Sequence, residues 1–265
     1  MRLNKILIGG IGTAVLMIFL LPLLSMAQNN NDTGNKTKLC EQISSISSAV
    51  DQRIADRETK LEEKRTQIEN RIEERWKEYD TRLAEKREKW NINRAEHFAK
   101  LEEKAQNNEQ KQAILDFKQA VETAIASRRA EIDTAIQEFR QGVAEVKNSR
   151  KAEVDAALNS LRNSVKTAFQ KAKTDCEGNV SPATIRVNLR AEIKYAREKF
   201  ITDKQEIDKI EPDMKELIDA KKTAIEVAIE DFKMALDEAR ATFKAKMELL
   251  KPQSPESPES PEVTE

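Results

Sequence analysis

Residues that build turns are scarce in this chain. It has six Gly and seven Pro in 265 residues. Gly9, Gly10 and Gly12 crowd near the start, and Pro252, Pro255, Pro258 and Pro261 near the end. The middle therefore lacks the punctuation that a sheet-containing globule needs. Aromatic residues make up 5% of the chain, too few for one large core. There is one histidine, His97, and its neighbours "NRAEHFAK" are helical in character, so it reads as an ordinary helix residue. Two cysteines without a CxxC pair or an accompanying His are poor evidence for zinc. No EF-hand, HExxH, P-loop or GxSxG pattern occurs. The Gly9-Gly10-Ile11-Gly12 cluster has neither a preceding strand nor a following Lys-Ser/Thr, and is no phosphate loop. Ser44, Ser45, Ser47 and Ser48 form "SSISS" on what reads as the polar side of the first helix, with no histidine partner. These absences assign no catalytic site, no metal and no cofactor, and the expectation is a non-enzyme.

Charge of one sign is also missing. Lys and Arg number 46, Asp and Glu 47, and the net charge is -1. No basic face or acidic block stands out, which argues against a nucleic-acid partner. Lys and Glu alternate instead, as on a solvated helix surface with pairs at i,i+4.

The one long apolar run is at the N-terminus, "MRLNKILIGGIGTAVLMIFLLPLLSMAQ". Arg2 and Lys5 precede it, and Ser25-Met26-Ala27 offers small residues at a signal-peptidase site. Residues 1–27 read as a cleavable secretory signal, alternatively as an uncleaved membrane anchor. That gives an extracytoplasmic protein, touching membrane only through this segment if it is retained. Residues 28–37, "QNNNDTGNKT", read as a flexible lead-in. Residues 252–265 repeat Ser-Pro-Glu and read as a disordered tail.

Between these segments, at 38–251, lies an 11-residue repeat. Steps of 4, 3 and 4 give Leu39, Ile43, Ile46, Val50, Ile54, Arg57, Leu61, Arg65, Ile68, Ile72, Trp76, Tyr79, Leu83, Arg87, Trp90, Arg94, Phe98 and Leu101. Every member is apolar or aromatic except the arginines, whose stems tolerate the edge of an apolar seam. Trp76, Tyr79 and Trp90 are expected to pack in the core. A second stripe runs Ile114, Phe117, Val121, Ile125, Arg128, Ile132, Ile136, Phe139, Val143, Lys147, Arg150, Val154, Leu158, Leu161, Val165, Phe169, Ala172 and Cys176. Ala113, Ala124, Ala135, Val146, Ala157 and Ala168 flank it and widen the face. A helix with so wide a face touches two neighbours and belongs in the middle of a bundle. A third stripe includes Ile185, Leu189, Ile193, Ala196, Phe200, Ile207, Met214, Ile218, Ile225, Ile229, Phe232, Leu236, Phe243 and Met247. Eleven residues per three turns keeps such stripes nearly straight.

The first two stripes are out of phase across "AQNNEQ", so the chain turns there. Asn107 caps the next helix, with Gln110 in the capping-box position. "CEGNVSP" marks the second turn: Gly178 ends a helix, Ser181 caps the next and Pro182 fits its first turn. The expected fold is all-α, an elongated antiparallel three-helix bundle with helices at about 38–106, 108–176 and 182–250, each on the order of 100 Å long. The third helix is expected to kink near Pro212, since its stripe keeps phase across that residue.

Cys40 and Cys176 stand at nearly equal distances from the turn at Asn107. In an antiparallel hairpin they meet at the same end, and the expectation is a disulfide. Export and long hairpins resemble periplasmic coiled-coil chaperones of the Skp type, an architectural likeness without a shared motif. Exchangeable apolipoproteins share the 11- and 22-residue periods but carry regular prolines, which this chain lacks. The function expected from sequence is an exported scaffold, spacer or protein-interaction module of the cell envelope, with protein partners or a second copy of itself. The alternatives are an amphipathic lipid-surface binder and a holdase-like periplasmic chaperone.

Overall fold

The computed structural model describes residues 32–207 and 211–250. The expected signal or anchor, the start of the lead-in and the Ser-Pro-Glu tail lie outside the described residues. Among those described, the protein is all-α, with four helices: α1 Asp32–Glu103, α2 Asn108–Glu177, α3 Pro182–Ile207 and α4 Glu211–Leu249.

The helix ends follow from local chemistry. After α1 the chain tightens, with Lys104 N–H on Leu101 O and Ala105 N–H on Glu102 O. Asn107 Oδ1 then accepts the Gln110 amide at 2.8 Å, as a capping residue should. The Gln110 side chain reaches back to the amide of Gln106, at 2.8 Å, one residue earlier than in the standard capping box. At the second turn, Ser181 Oγ accepts the Thr184 amide at 3.2 Å, and Pro182 opens α3, where no amide hydrogen is needed.

Two expectations need correction here. The helix α1 begins at Asp32, inside the segment read as a flexible lead-in. Its first turns are tied down: the Lys36 ammonium donates to the Gly178 carbonyl, and Leu39 is buried. The third region is recorded as two helices. Pro212, near which the kink is expected, stands in the first turn of α4, where proline is tolerated, and residues 208–210 before it lie outside the described residues.

The chain divides into two compact units. Unit 1 combines the chain up to Lys77 with Phe139–Asp219. Here α1 up to Lys77, the second half of α2, and α3 with the start of α4 form a helical bundle. Its core runs through three clusters. Leu39, Ile43, Val50, Phe169, Ile185 and Ile193 belong to the first. Leu61, Leu158 and Phe200 are in the next, and Phe139, Val143 and Met214 in the last. As the chain passes from Ile193 through Phe200 to Met214, its partners on α2 descend from Val165 through Leu158 to Val143. α3 and the start of α4 therefore run along α2 in the same direction. Gly142 leaves room for Leu217, whose side chain occupies the space a Cβ would need. The Ala column of α2 is buried in this unit at Ala157 and Ala168, and α2 packs against both α1 and α3. Each fully buried Leu, Ile or Phe contributes roughly 1.5–3 kcal/mol.

Unit 2 combines Glu78–Glu138 with the chain from Ala220 onward. Phe98, Ile114, Val121 and Ile125 are buried, with Phe117, Phe232, Leu236 and Phe243 packed against them. Phe117 bridges two helices, edge-on to Phe98 with centroids 5.8 Å apart and stacked on Phe243 at 4.8 Å.

Candidate functional site

At the start of unit 1, Cys40 of α1 and Cys176 of α2 form a disulfide, with Cα atoms 5.9 Å apart. Beneath it Leu39, Ile43 and Ile185 exclude water almost completely. Ion pairs line the α1–α2 seam below: Glu62 with Lys151 at 3.1 Å, Arg65 with Asp155 at 2.8 Å, Glu69 with Lys147 at 2.9 Å, and Glu58 with Arg162. Hydrogen bonds from Lys151 and then Arg65 hold the Glu62 carboxyl below its ordinary value. Exposed pairs of this kind are worth about 0–1 kcal/mol each, so their main consequence is register. Partner numbers have the same sum in Glu58–Arg162 and Arg65–Asp155 of unit 1 as in Arg87–Asp133 and Glu102–Lys118 of unit 2. The antiparallel register of α1 on α2 is therefore the same in both.

The stripe residues fall as follows. Leu61, Val121, Phe139, Val143, Val165 and Phe169 are buried. Ile54, Ile72, Trp76, Leu83, Ile132, Ile136, Val154, Leu161, Ile225, Phe232 and Leu236 are half-buried. The stripe arginines Arg57, Arg65, Arg87 and Arg94 are half-buried as well.

Three positions depart from the expectation. Ser47 is buried, not on the polar side, because it lies four residues after Ile43 and three before Val50 on the seam face. Trp90, expected in the core, is 51% exposed, and Ile229 is 38% exposed. Both lie in unit 2, at one level of the bundle. Trp90 sits between Arg87 and Arg94 on α1; Ile229 lies one turn before Phe232, over whose ring the Arg128 guanidinium stacks at 4.1 Å. The one-residue neighbours take their places inward: Ala228 is 1% exposed and Asn91 is half-buried.

Guanidinium groups fill this level. Arg87 makes a two-pronged bond to Asp133, at 2.7 and 2.8 Å, which raises its pKa above the ordinary arginine value. Arg94 and Arg129 both donate to a single neutral oxygen, Asn91 Oδ1, at 2.9 and 2.8 Å. Arg129 Nε is covered and has no hydrogen-bond partner. Burial, followed by the charges of Arg94, Arg87 and Arg128, pulls Arg129 below the ordinary value. Burial and then Arg87 do the same to Arg128. Sequence reasoning noticed Arg87, Arg94 and Arg128 only as edge residues and missed Arg129. The signal was available, since Arg87 stands 20 residues before Asn107 and Arg128 stands 21 after it.

Elsewhere, a groove of about 590 Å³ opens between α2 and α4 of unit 2, with Ala113, Ala120, Ala124, Ala235 and Ala239 in its wall. His97 is exposed and meets Phe98 edge-on. Among the described residues no group of His, Cys, Asp and Glu is placed to hold a metal ion. No helix among them is long and apolar enough to cross a membrane. Compared with models of known families, with curated proteins and with solved structures, the chain matches none of them.

Proposed function

We propose that the protein is an exported, non-enzymatic helical scaffold or protein-interaction module of the cell envelope. The observation that carries this reading is the Cys40–Cys176 disulfide. Such bonds persist in oxidising compartments, outside the reducing cytosol. The apolar N-terminal segment with its small-residue site supports the same compartment. The helical bundle supports a scaffold: its apolar side chains are gathered into the seams that hold the helices together. The Ala-walled groove between α2 and α4 supports partner binding, because small side chains let another helix approach closely. The partners are proteins, or a second copy of the chain.

The competing reading is an amphipathic lipid binder, whose helices form on the membrane surface. Circular dichroism of the chain from Gln28 onward separates the two. A scaffold is fully helical and melts cooperatively in buffer, and liposomes add no helix. Helicity that appears only with liposomes overturns the proposal.

A further inference from the structure

The arginine level of unit 2 is more than an interruption of the seam. We propose that Arg87, Arg94, Arg128 and Arg129 form a binding site for a phosphate group. Around Asn91 two cationic forks from different helices converge on one uncharged oxygen. Arg87 has its own carboxylate, and Arg128 lies over an aromatic ring. The level thus holds four guanidinium groups, one of them paired with Asp133, and a covered Arg129 Nε hydrogen with no acceptor. Charges of one sign this close repel, and a bound anion relieves that repulsion.

The chemistry of the donors selects the anion. Arginine forks match the oxygens of carboxylate and phosphate. A monocarboxylate has two oxygens and one charge. A phosphate monoester or inorganic phosphate has more acceptors, arranged tetrahedrally, and close to two charges. It can therefore take donors from α1 and α2 at once.

Calorimetric titration of the intact protein with inorganic phosphate, against sodium chloride at matched ionic strength, tests the proposal. A saturable single site is expected. The double variant Arg94→Gln/Arg129→Gln should weaken it at least tenfold, while Arg82→Gln, on an exposed turn of α1, should leave it unchanged. Without phosphate the double variant should melt no lower than the parent, since it has lost repelling charges. Should it fail to fold, Trp90 fluorescence in a Trp76→Phe background still reports phosphate on the folded seam. Vesicles of phosphatidylcholine with phosphatidic acid supply the second source of the same group. Vesicle capture that depends on Arg94 and Arg129 assigns a lipid headgroup; a response to free phosphate alone assigns a soluble ligand. No saturable response to either source overturns the site. So does binding undiminished in the double variant, or a melting loss in that variant with no dependence on phosphate, which makes the layer purely structural.

Discussion

Unit 1 and unit 2 are built from the same 11-residue pattern and packed differently. In unit 1 three hydrophobic clusters follow one another from Leu39 to Met214, and the disulfide closes the end. In unit 2 the hydrophobic cluster covers Phe98, Ile114, Val121 and Ile125 and their α4 partners. The level of Arg87 and Asn91 carries guanidinium groups instead. The periodic pattern sets which face of a helix is turned inward. What fills the seam at each level depends on the residues opposite, and an arginine facing an arginine produces a polar layer where the period alone calls for a core. The disulfide-closed end and the arginine level are therefore in different units.

The sharpest way to break this comparison is a charge at one stripe position of each unit. Val143 is 2% exposed and packs with Phe139 and Met214. Val143→Asp buries a carboxylate without a partner and should cost about 3–5 kcal/mol. Trp90→Asp places the same group on an exposed turn beside Arg87 and Arg94. It should cost less than about 1 kcal/mol. Chemical denaturation of the two variants checks both values, and equal losses would mean that the two stripe positions are equally buried after all.

The disulfide gives the next largest effect. Cys40→Ser/Cys176→Ser should lower stability by about 2–4 kcal/mol, because the open chain gains freedom. The loss should be read in unit 1. Amide exchange should accelerate around Leu39, Ile43 and Ile185, with little change around Phe98 and Ile114. A third test compares the two turns. Asn107→Ala and Ser181→Ala each remove an N-cap acceptor and should each cost about 1 kcal/mol in thermal or denaturant unfolding. The Asn107 variant should show the larger loss, since Gln110, which that cap orients, is itself buried.

Much of this fold was legible in the sequence. The 4-3-4 stepping located α1 and α2, because a helical seam requires that period. The phase break at "AQNNEQ" located the turn, because one straight helix cannot face two ways. Equal distances from that turn located the disulfide. Less legible was whatever depends on contacts across the seam. Ser47 reads as polar and is buried because its spacing to Ile43 and Val50 outweighs one hydroxyl. Trp90 reads as core and is exposed because Asn91 offers two guanidinium groups an acceptor and an indole ring does not. Asp32–Thr37 reads as a polar lead-in and is helical, held by a lysine bound to a carbonyl 142 residues away in the chain.

The smallest expected effect concerns acid. In unit 1 the Glu62 carboxyl is held below its ordinary value of 4.5 by hydrogen bonds from Lys151 and then Arg65. In unit 2 hydrogen bonds from Lys246 and then Gln112 hold the Asp116 carboxyl below 3.8. Both groups are ionised more readily in the folded protein than in the unfolded chain. The unfolded chain therefore binds more protons in this range, and stability rises with pH. Each contribution is complete well above the ordinary value, starts to fade as pH falls toward it, and is lost once pH drops through the depressed one. Both carboxylates are solvent-exposed, so salt screens the pairs and the effect is small. Melting temperature should hold steady from neutral pH down to the ordinary carboxylate range and then decline. Glu62→Gln should flatten the first part of that decline and Asp116→Asn the later part. Added salt should shrink both differences, whereas the gap between Val143→Asp and Trp90→Asp should persist in salt, because an unpaired buried charge is not screened.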